Sequence, residues 1–183
     1  MGWGSSEAIH LMLEAERRAY ADRAEHLGDS DFYDVPLDML VDKKYAARRF
    51  SDFNKKKAST SNTIFAGVGP AKESLETTHF SVIDKSGTAV AFTTTLNSPY
   101  GNKIVIPGTG ILLNNEMNDF SVKPNTANQF DLIGREANAI APRKRMLSSM
   151  SPTIVSKNGV PVLVTGSPGG STIITTTLQV ILN

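Results

Sequence analysis

The chain has 183 residues, of which 40% are hydrophobic and 20% are charged, and these proportions are ordinary for a globular protein. The net charge of +1 provides no broad basic surface, so the composition gives no support for nucleic acid as a partner. The absence of cysteine excludes disulfides, thiolate metal sites and a cysteine nucleophile. The sequence shows neither a signal-peptide pattern at its start nor an apolar run of membrane-spanning length.

The first predicted element is a helix that begins at Ser5 or Ser6, either of which can cap it, and runs to about Arg23. Glu14 and Arg18 stand one turn apart, so their side chains can form an ion pair. The predicted apolar stripe of this helix has members spaced three or four residues apart, namely Ala8, Met12, Ala15 and Ala19.

The segment after this helix is polar and then becomes helical again. Residues 29–34 resemble the start of a calcium loop, but the central glycine and the bidentate glutamate are missing, which favours an Asx-turn loop. Pro36 suits a first helical turn, so a second helix is predicted from Pro36 to about Phe50. Residues 51–74 lack periodicity and predict a long polar connection, in which a lysine triplet is more typical of a solvated linker than of a nucleic-acid contact.

The second half of the chain predicts β-hairpins, because apolar and polar residues alternate there. Asn158-Gly159 is a strong turn signal for one of these hairpins. The predicted strands are residues 79–83, 88–96, 104–106, 111–113, 153–155 and 160–165, and a final helix is predicted at 172–182. Strand runs with helices before and after them indicate an α+β fold, with helices packed against a sheet.

The sequence offers few residues for nucleophilic catalysis. His10, His26 and His79 show no metal-ligand spacing, and no nucleophile-elbow sequence is present. A threonine can instead be activated by its own α-amine, whose unperturbed pKa of about 8 leaves a neutral fraction at neutral pH. A cut before Thr77, where the long connection meets the first strand, would create such an amine. A threonine before a strand also reflects plain β-propensity, so this feature alone favours an ordinary strand start.

Five longer motifs follow one another along the chain. They are TTHFSV at 77–82, TLN at 95–97, GILLNNEMNDF at 110–120, RMLSSMSPT at 145–153 and GSPGGS at 166–171. Together with residues 15–29 they closely resemble the γ-glutamyltranspeptidase family over essentially the whole chain, and ordered motifs are more specific than any short pattern. The resemblance implies an N-terminal-nucleophile (Ntn) hydrolase with an αββα sandwich, of which this chain contains a part.

The resemblance also implies a catalytic apparatus. It implies self-cleavage at Glu76–Thr77, with Thr77 as the nucleophile and the new N-terminus. Thr95 matches the threonine whose hydroxyl supports the nucleophile. Gly169 and Gly170 match the oxyanion-hole amides, and a glycine turn that opens a helix can direct backbone N–H groups at a developing oxyanion.

Five further residues match the site for the α-amino and α-carboxyl groups of a γ-glutamyl moiety. They are Asn97, Glu116 and Asp119, together with Ser148 and Ser149 near the α-carboxylate. These residue types suit a zwitterion, because carboxylates bind its ammonium and hydroxyl donors bind its carboxylate. In isolation, the acidic motif is more typical of a solvated loop, the serine pair of a serine-rich turn, and the glycine pair of a glycine turn or weak phosphate cradle.

The activity implied by the family is that of a γ-glutamyltransferase and glutathione hydrolase. Thr77 would form a γ-glutamyl ester with glutathione or another γ-glutamyl compound, and water, an amino acid or a dipeptide would then accept the γ-glutamyl group. No cofactor and no metal are predicted. The family is typically periplasmic, secreted or attached to the cell surface, and nothing in this chain specifies the compartment.

The implied cleavage would divide the chain into residues 1–76, the end of a large subunit with two helices and a linker, and residues 77–183, the start of the small catalytic subunit. The two subunits are expected to remain associated. Compared with the family, the chain lacks much of the large subunit, including the arginine that grips the substrate α-carboxylate, and the C-terminal end. We therefore expect a fragment with exposed apolar sheet surface. Residues 143–145 are interpreted as an exposed basic cluster.

Two other interpretations stay open at this point. A partial fold that neither cleaves itself nor turns over substrate could act as a binding or interaction module. A related Ntn acylase could act on a different amide, although Glu116, Asp119 and the serine pair favour a γ-glutamyl substrate.

Overall fold

The computed structural model describes residues 2–60, 63–64, 77–129 and 132–183. Its elements are helices α1 (Ser6–His26), α2 (Leu37–Leu40), α3 (Lys43–Arg49) and α4 (Ile173–Leu182), and strands β1 (Thr78–Ile83), β2 (Ala89–Thr94), β3 (Thr153–Lys157) and β4 (Val160–Thr165). Single 3₁₀ turns lie at Glu116–Asp119, Glu136–Asn138 and Gly170–Thr172. The predicted α+β class is confirmed. Glu76 and most of the predicted linker after residue 60 lie outside the described residues.

The chain divides into two compact units that interleave along the sequence. The first unit comprises Met1–Pro70 and Asp119–Leu147, and the second comprises Ala71–Asn118 and Ser148–Asn183. Helices α1 to α3 belong to the first unit, whereas all four strands and α4 belong to the second.

Helix α1 lies close to its predicted limits. Ser5 caps the helix, since its Oγ accepts a hydrogen bond from Ala8 N at 3.2 Å. The helix continues to His26, three residues beyond the predicted end. The predicted apolar stripe is wrong as a description of the buried face, because Ala15 and Ala19 are exposed. Partnered polar side chains occupy that face instead.

The buried face of α1 is centred on the ion pair between Glu14 and Arg18, and the prediction of this pair is confirmed. Arg18 Nη1 donates to Glu14 Oε2 at 2.7 Å, and the two side chains are only 2% and 4% exposed. Ser59 donates to Glu14 from its backbone N at 3.0 Å and from its Oγ at 2.6 Å. Arg18 also donates to Asp52 Oδ1 at 2.6 Å. Because its members satisfy one another, this network attaches residues 52–59 to α1 without leaving a buried charge unpaired.

The predicted single helix from Pro36 to Phe50 is wrong, because the structure contains the two short helices α2 and α3. The break lies at Asp42, which is extended (φ −72°, ψ 128°) and accepts a hydrogen bond from Tyr45 N through its side chain at 2.7 Å. An aspartate in this conformation starts a new helix by capping it, and it thereby ends the previous one.

The loop after α1 is attached to a distant arginine. Asp31 N donates to Asp29 Oδ1 at 3.2 Å, which confirms the predicted Asx turn. Arg145 donates to Asp29 Oδ2 from its backbone N at 2.8 Å and from its Nε at 3.0 Å, and its Nη2 also contacts Asp31 Oδ2 at 2.6 Å. Next to this ion pair, a Cβ built on Gly28 would lie 2.0 Å from the Ala137 carbonyl oxygen, so only glycine fits there.

The interpretation of residues 143–145 as an exposed basic cluster therefore needs a correction at Arg145. Its side chain is 68% exposed, but its guanidinium is paired with Asp29 and Asp31. The hydrogen bonds from Arg145 hold the pKa of the Asp29 carboxyl well below its usual range. Arg145 is thus a structural cation rather than one member of a free basic patch.

The second unit begins with the predicted hairpin of β1 and β2. The strands are antiparallel, and the pairing begins with Thr78 opposite Thr94. In the turn, Asp84 Oδ1 accepts hydrogen bonds from Ser86 N at 2.8 Å and from Thr88 N at 2.9 Å. This carboxylate stabilises the turn and confirms the predicted hairpin.

The second predicted hairpin, β3 with β4, is also confirmed. Asn158 and Gly159 form its turn with φ of 54° and 80°, the left-handed conformation that this pair favours. An irregularity between Val155 and Ser156 shifts the register. Strand β4 neighbours both strands of the first hairpin, so the two hairpins lie against each other.

The segments predicted as strands at 104–106 and 111–113 do pair with each other across their turn. One antiparallel bridge joins Val105 to Leu112, and two backbone hydrogen bonds flank it. A single bridge therefore joins the two segments, and they do not form a hairpin with regular strands.

Apolar side chains remain exposed on the sheets and on the last helix, as predicted. The rings of Phe80 and Phe92 stack across β1 and β2 with their centroids 5.1 Å apart, and both are about half exposed. In α4, Ile173 is buried, whereas Leu178 and Ile181 are exposed. The predicted packing of this helix is therefore confirmed for its first residue alone.

Candidate active site

The predicted nucleophile lies at the start of the first hairpin. Thr77 directly precedes β1 and is only 9% exposed. The paired register ends with Thr78 opposite Thr94, so Thr77 and Thr95 are the residues that adjoin this last pair on the two sides of the hairpin. The two threonines predicted to act as nucleophile and supporting hydroxyl thus both lie at the open end of the hairpin.

A compact set of hydrogen bonds follows Thr95. Its Oγ1 accepts from Asn97 N at 2.9 Å, and Asn97 is buried in the left-handed conformation with φ 75°. Asn97 Nδ2 donates to Asn115 O at 3.0 Å. Asn115 Oδ1 in turn accepts from Ser98 N, and Asn115 Nδ2 donates to Ser98 Oγ, each at 3.0 Å. Asn115 and Ser98 were not predicted, because their contact spans 17 residues and local sequence patterns do not signal bonds over that distance.

These bonds bring the segment that carries Glu116 to the end of β2. Glu116 opens a 3₁₀ turn, and its N donates to Asn114 Oδ1 at 3.0 Å. Burial raises the pKa of the Glu116 carboxyl, because desolvation disfavours its charged form. A substrate ammonium bound beside it would favour the charged form and lower the pKa again.

Asp119 ends the same 3₁₀ turn but belongs to the first unit. Its carbonyl oxygen accepts from Asn138 Nδ2 at 2.7 Å. Its side chain is close enough to Arg23 to interact electrostatically: burial lowers the pKa of the Arg23 guanidinium, and the charges of Tyr20 and Asp119 oppose that shift. The negative charge of Asp119 thus favours the charged form of Arg23 in α1.

The predicted serine pair directly precedes β3. Ser148 is exposed, and its Oγ accepts from Met150 N at 3.1 Å, which leaves its hydroxyl hydrogen available for donation. The carbonyl oxygen of Ser149 accepts from Ser151 Oγ at 3.0 Å. Both serines lie in the second unit.

The glycine pair before α4 has the backbone conformation that side chains disfavour. Gly169 has φ 129° and Gly170 has φ 53°. Thr172 holds this turn, because its N and Oγ1 both donate to the Gly169 carbonyl oxygen, at 3.0 and 2.8 Å. Within the described part of the chain, the amides of Gly169 and Gly170 donate to no protein acceptor. Two such amides are the groups that an oxyanion hole requires.

His79 lies two residues after Thr77, so both side chains are directed to the same face of the strand. Its Nδ1 is 2.7 Å from Thr93 Oγ1, and its Nε2 is 2.9 Å from Ser81 Oγ. Its ring also lies against the backbone of Gly166, in the loop that leads to the glycine pair. Since both ring nitrogens are engaged by hydroxyls, the geometry is that of a structural histidine.

Other features of the described residues lie outside this set. A groove of about 690 Å³ in the first unit, between α1 and the α2–α3 pair, is lined mainly by apolar side chains and includes none of the predicted site residues that the structure describes. In the ranges described, no group of three acidic or histidine side chains could hold a metal ion. No described helix combines the length and apolarity that crossing a bilayer requires.

The chain is similar to proteins of one family over its full length. The family model described as gamma-glutamyltranspeptidase matches residues 1–183. The glutathione hydrolase proenzyme of Escherichia coli (strain K12) is 54% identical over 182 residues, which cover 100% of this chain and 31% of that protein. The Acylase ACY 1 proenzyme of Pseudomonas sp. (strain SE83) is 38% identical over 183 residues, covering 100% of this chain and 30% of that protein. The chain thus spans about a third of the length of the curated relatives that it matches.

Solved structures that are similar to this chain come from the same family. A highly active W525D mutant of gamma-glutamyltranspeptidase from Pseudomonas nitroreducens matches with a TM-score of 0.57 and 57% identity, over 58% of this chain and 55% of that one. The T380A mutant of the Helicobacter pylori enzyme matches with a TM-score of 0.56 and 60% identity, over 58% of this chain and 57% of that one. The chain belongs to the γ-glutamyltranspeptidase family, and its α+β fold is part of that family's Ntn-hydrolase sandwich.

Proposed function

We propose that this chain carries the nucleophile and part of the donor site of a glutathione hydrolase and γ-glutamyltransferase that matures by self-cleavage at Glu76–Thr77. The observation that carries the proposal is the register of β1 and β2, which ends with Thr78 opposite Thr94 and so leaves Thr77 and Thr95 at the same end of the hairpin, with Thr95 hydrogen-bonded to Asn97. The names of the relatives support it, since several are glutathione hydrolase proenzymes. The mature parts are residues 1–76 and 77–183.

Maturation needs no group beyond Thr77 and water. Thr77 Oγ attacks the carbonyl carbon of Glu76, the C–N bond breaks, and the acyl group moves from nitrogen to oxygen as an ester. Water then hydrolyses this ester, which leaves a carboxylate on Glu76 and a free α-amine on Thr77. That amine is the base that the next reaction uses.

In turnover, the Thr77 amine accepts the hydroxyl proton while Oγ attacks the γ-carbonyl of a γ-glutamyl amide. The oxygen of the tetrahedral intermediate accepts hydrogen bonds from the Gly169 and Gly170 amides. The intermediate collapses to a γ-glutamyl ester, and the amine leaving group takes the proton. Water or the amine of an acceptor then attacks the ester, which gives glutamate or a new γ-glutamyl compound and restores the hydroxyl of Thr77.

The donor site recognises the α-carbon end of the γ-glutamyl group. Glu116 and Asp119 bind its ammonium, Ser148 and Ser149 donate to its carboxylate, and Asn97 contributes its amide. Glutathione is the donor, amino acids and dipeptides are the acceptors, and the two products of cleavage remain associated.

The test is intact-mass measurement combined with hydrolysis of a γ-glutamyl anilide. We expect the 19.7 kDa chain to separate into two masses divided at Glu76–Thr77 and to release the aniline. Thr77→Ala removes the attacking oxygen, so it should remain one mass and lose turnover by about a thousandfold or more. Thr78→Ala is the matched control, since it removes the neighbouring hydroxyl and should still be cleaved. A Thr77→Ala protein that still divides into two would refute the nucleophile assignment.

A second candidate is an acylase that acts on another amide, which the 38% identity to the Acylase ACY 1 proenzyme favours. The two candidates differ in whether the α-ammonium contributes to binding. Glutaryl anilide, which lacks that ammonium, separates them. A γ-glutamyltransferase hydrolyses γ-glutamyl anilide far faster than glutaryl anilide. An acylase of the other kind shows no preference for γ-glutamyl anilide. A chain that stays intact and hydrolyses neither substrate is a non-enzymatic fragment.

A further inference from the structure

One buried amide connects two of the predicted substrate-binding segments. Asn138 ends the 3₁₀ turn Glu136–Asn138 and is 5% exposed. Its Nδ2 donates to Asp119 O at 2.7 Å, and its Oδ1 accepts from Leu147 N at 3.0 Å. Only this orientation of the amide satisfies both neighbours, because a carbonyl requires a donor and an N–H requires an acceptor.

The backbone of Asn138 fixes the side chain that makes these bonds. Its carbonyl oxygen accepts from Ser121 N at 2.9 Å, and its own N donates to Arg135 O at 3.1 Å. The following residue, Ala139, forms a parallel bridge with Ser121. The amide therefore projects from a buried, fully bonded turn and has little freedom to move.

Both bonded neighbours are next to predicted ligands of the γ-glutamyl group. Asp119 is a predicted ligand of the ammonium. Leu147 directly precedes Ser148 and Ser149, the predicted ligands of the carboxylate. The substrate carries its ammonium and carboxylate on one carbon atom, so the groups that bind them must keep a fixed separation.

We infer that Asn138 is a positioning residue for the γ-glutamyl donor, and the inference rests on the function proposed above. Asn138 does not touch substrate or the nucleophile. It restrains the backbone of Asp119 and the backbone of Leu147, which leads into the serine pair, and thereby holds the predicted ammonium ligand Asp119 in place. Loss of this restraint weakens donor binding and leaves the chemistry of Thr77 unchanged.

A second attachment supports the same segment from its other side. Arg145, two residues before Leu147, is bound through its N and Nε to Asp29. The run into the serine pair is therefore held at Arg145 and at Leu147. Of the side chains that hold this run, that of Asn138 also binds the backbone of Asp119, so its removal releases this predicted ammonium ligand.

The experiment compares Asn138→Asp with Asn128→Asp. In Asn138→Asp, one oxygen of the introduced carboxylate would still accept from Leu147 N, but the other would face the Asp119 carbonyl oxygen and repel it. Asn128 lies in the same unit, and its Oδ1 accepts from Leu132 N at 3.1 Å, so its replacement adds the same charge without touching either ligand segment. The measurements are KM and kcat for γ-glutamyl anilide, the inhibition constant of L-glutamate, and the cleavage at Thr77.

For Asn138→Asp we expect KM and the L-glutamate inhibition constant to rise together by about tenfold, with kcat within about threefold of the unsubstituted chain and cleavage intact. The control should keep both constants. A purely structural role would instead lower kcat, cleavage and the melting temperature together. Unchanged KM in a folded, cleaved Asn138→Asp protein overturns the inference.

Asn138→Ser is a second variant for the case that Asn138→Asp does not fold, because the small serine side chain leaves room for water at both neighbours. An unchanged KM in Asn138→Ser overturns the inference as well. The behaviour of the unsubstituted chain distinguishes failure of the inference on Asn138 from failure of the proposed function. If that chain neither cleaves nor releases aniline, the function fails, and L-glutamate binding followed by NMR still compares the variants. Equal glutamate binding by all of them overturns the inference on Asn138 independently.

Discussion

Glu116 differs from an ordinary surface carboxylate because burial already disfavours its charge. Its raised pKa means that it becomes protonated at a higher pH than a free glutamate would. Only the ionised form can bind an ammonium strongly. Donor binding should therefore weaken as the pH falls through this raised pKa.

The corresponding prediction concerns Glu116→Gln. In the unsubstituted protein, we expect KM for γ-glutamyl anilide to rise on the acidic side as Glu116 is protonated. The amide cannot titrate, so the variant should have a KM about tenfold or more higher near neutral pH and no acidic rise of its own. Glu136→Gln, at an exposed carboxylate, is the control and should follow the unsubstituted protein. If KM rose equally at acidic pH in the unsubstituted protein and in Glu116→Gln, the proposed role of Glu116 would be contradicted.

The residues of the candidate site differ in whether a local sequence pattern identifies them. Thr77 and Thr95 could be identified from motifs, and the hairpin that places them at the same end follows from alternation and a turn of known type. Asn115 and Asn138 could not, because they hold Ser98 and Asp119, which lie 17 and 19 residues away, and asparagine is typical of any polar loop. Side chains that hold backbone across such distances have no periodic signal.

At the scale of the element, helix α1 depends on an ionised glutamate. Burial alone would raise the pKa of Glu14, but the hydrogen bonds from Arg18 and Ser59 outweigh it and lower the pKa to about 2. A carboxyl with a lowered pKa in the folded state stabilises the fold above its unfolded pKa of about 4.5. That stabilisation is lost as the pH falls towards 2.

Glu14→Gln tests this dependence through the helical circular-dichroism signal in urea. The amide leaves the buried Arg18 without its nearest anion, so the free energy of unfolding near pH 7 should fall by about 3 kcal/mol. The decline of the unsubstituted protein between about pH 4.5 and 2 should become shallower in the variant. Glu7→Gln, at an exposed position of the same helix, should change the free energy by about 0.5 kcal/mol or less. If the free energy of unfolding of Glu14→Gln fell with pH as steeply as that of the unsubstituted protein, groups other than Glu14 would control the acid dependence.

The helices also show which elements are open to prediction. The start of α1 and its Glu14–Arg18 pair follow from spacing and capping rules, and the structure contains both. The break at Asp42 could not be foreseen from the apolar face, which continues on both sides of it. There the capping bond to Tyr45 N outweighs helix continuity. Likewise, the contact between Ser59 and Glu14 spans 45 residues, so the burial of this polar face of α1 could not be foreseen from local spacing.

At the scale of the whole molecule, the compact units do not coincide with the proposed products of cleavage. The first unit combines Met1–Pro70 with Asp119–Leu147, which lie on opposite sides of Glu76–Thr77. The ion pair of Arg145 with Asp29 and that of Arg135 with Glu25 both cross this boundary. Contacts that would hold the proposed products together are therefore already present in the uncleaved chain.

Arg145→Ala tests that surface in the cleaved protein. We expect the unsubstituted products to elute together in size-exclusion chromatography and to separate at a characteristic urea concentration. Removing Arg145 leaves the buried carboxylate of Asp29 without its cation, so separation should occur at lower urea, with association weakened by about tenfold. Lys123→Ala removes one exposed charge from the same segment and should leave the transition in place. Coincident transitions for both variants would assign the association to other contacts.

The contact between Arg145 and Asp29 has one more consequence. In the uncleaved chain the two residues are tethered, so their effective concentration is set by the connecting polypeptide and does not change on dilution. Once Glu76–Thr77 is cut, the same contact joins two molecules and obeys mass action. Cleavage would thus make the first unit sensitive to protein concentration, with its stability falling on dilution in the mature form and constant in the precursor.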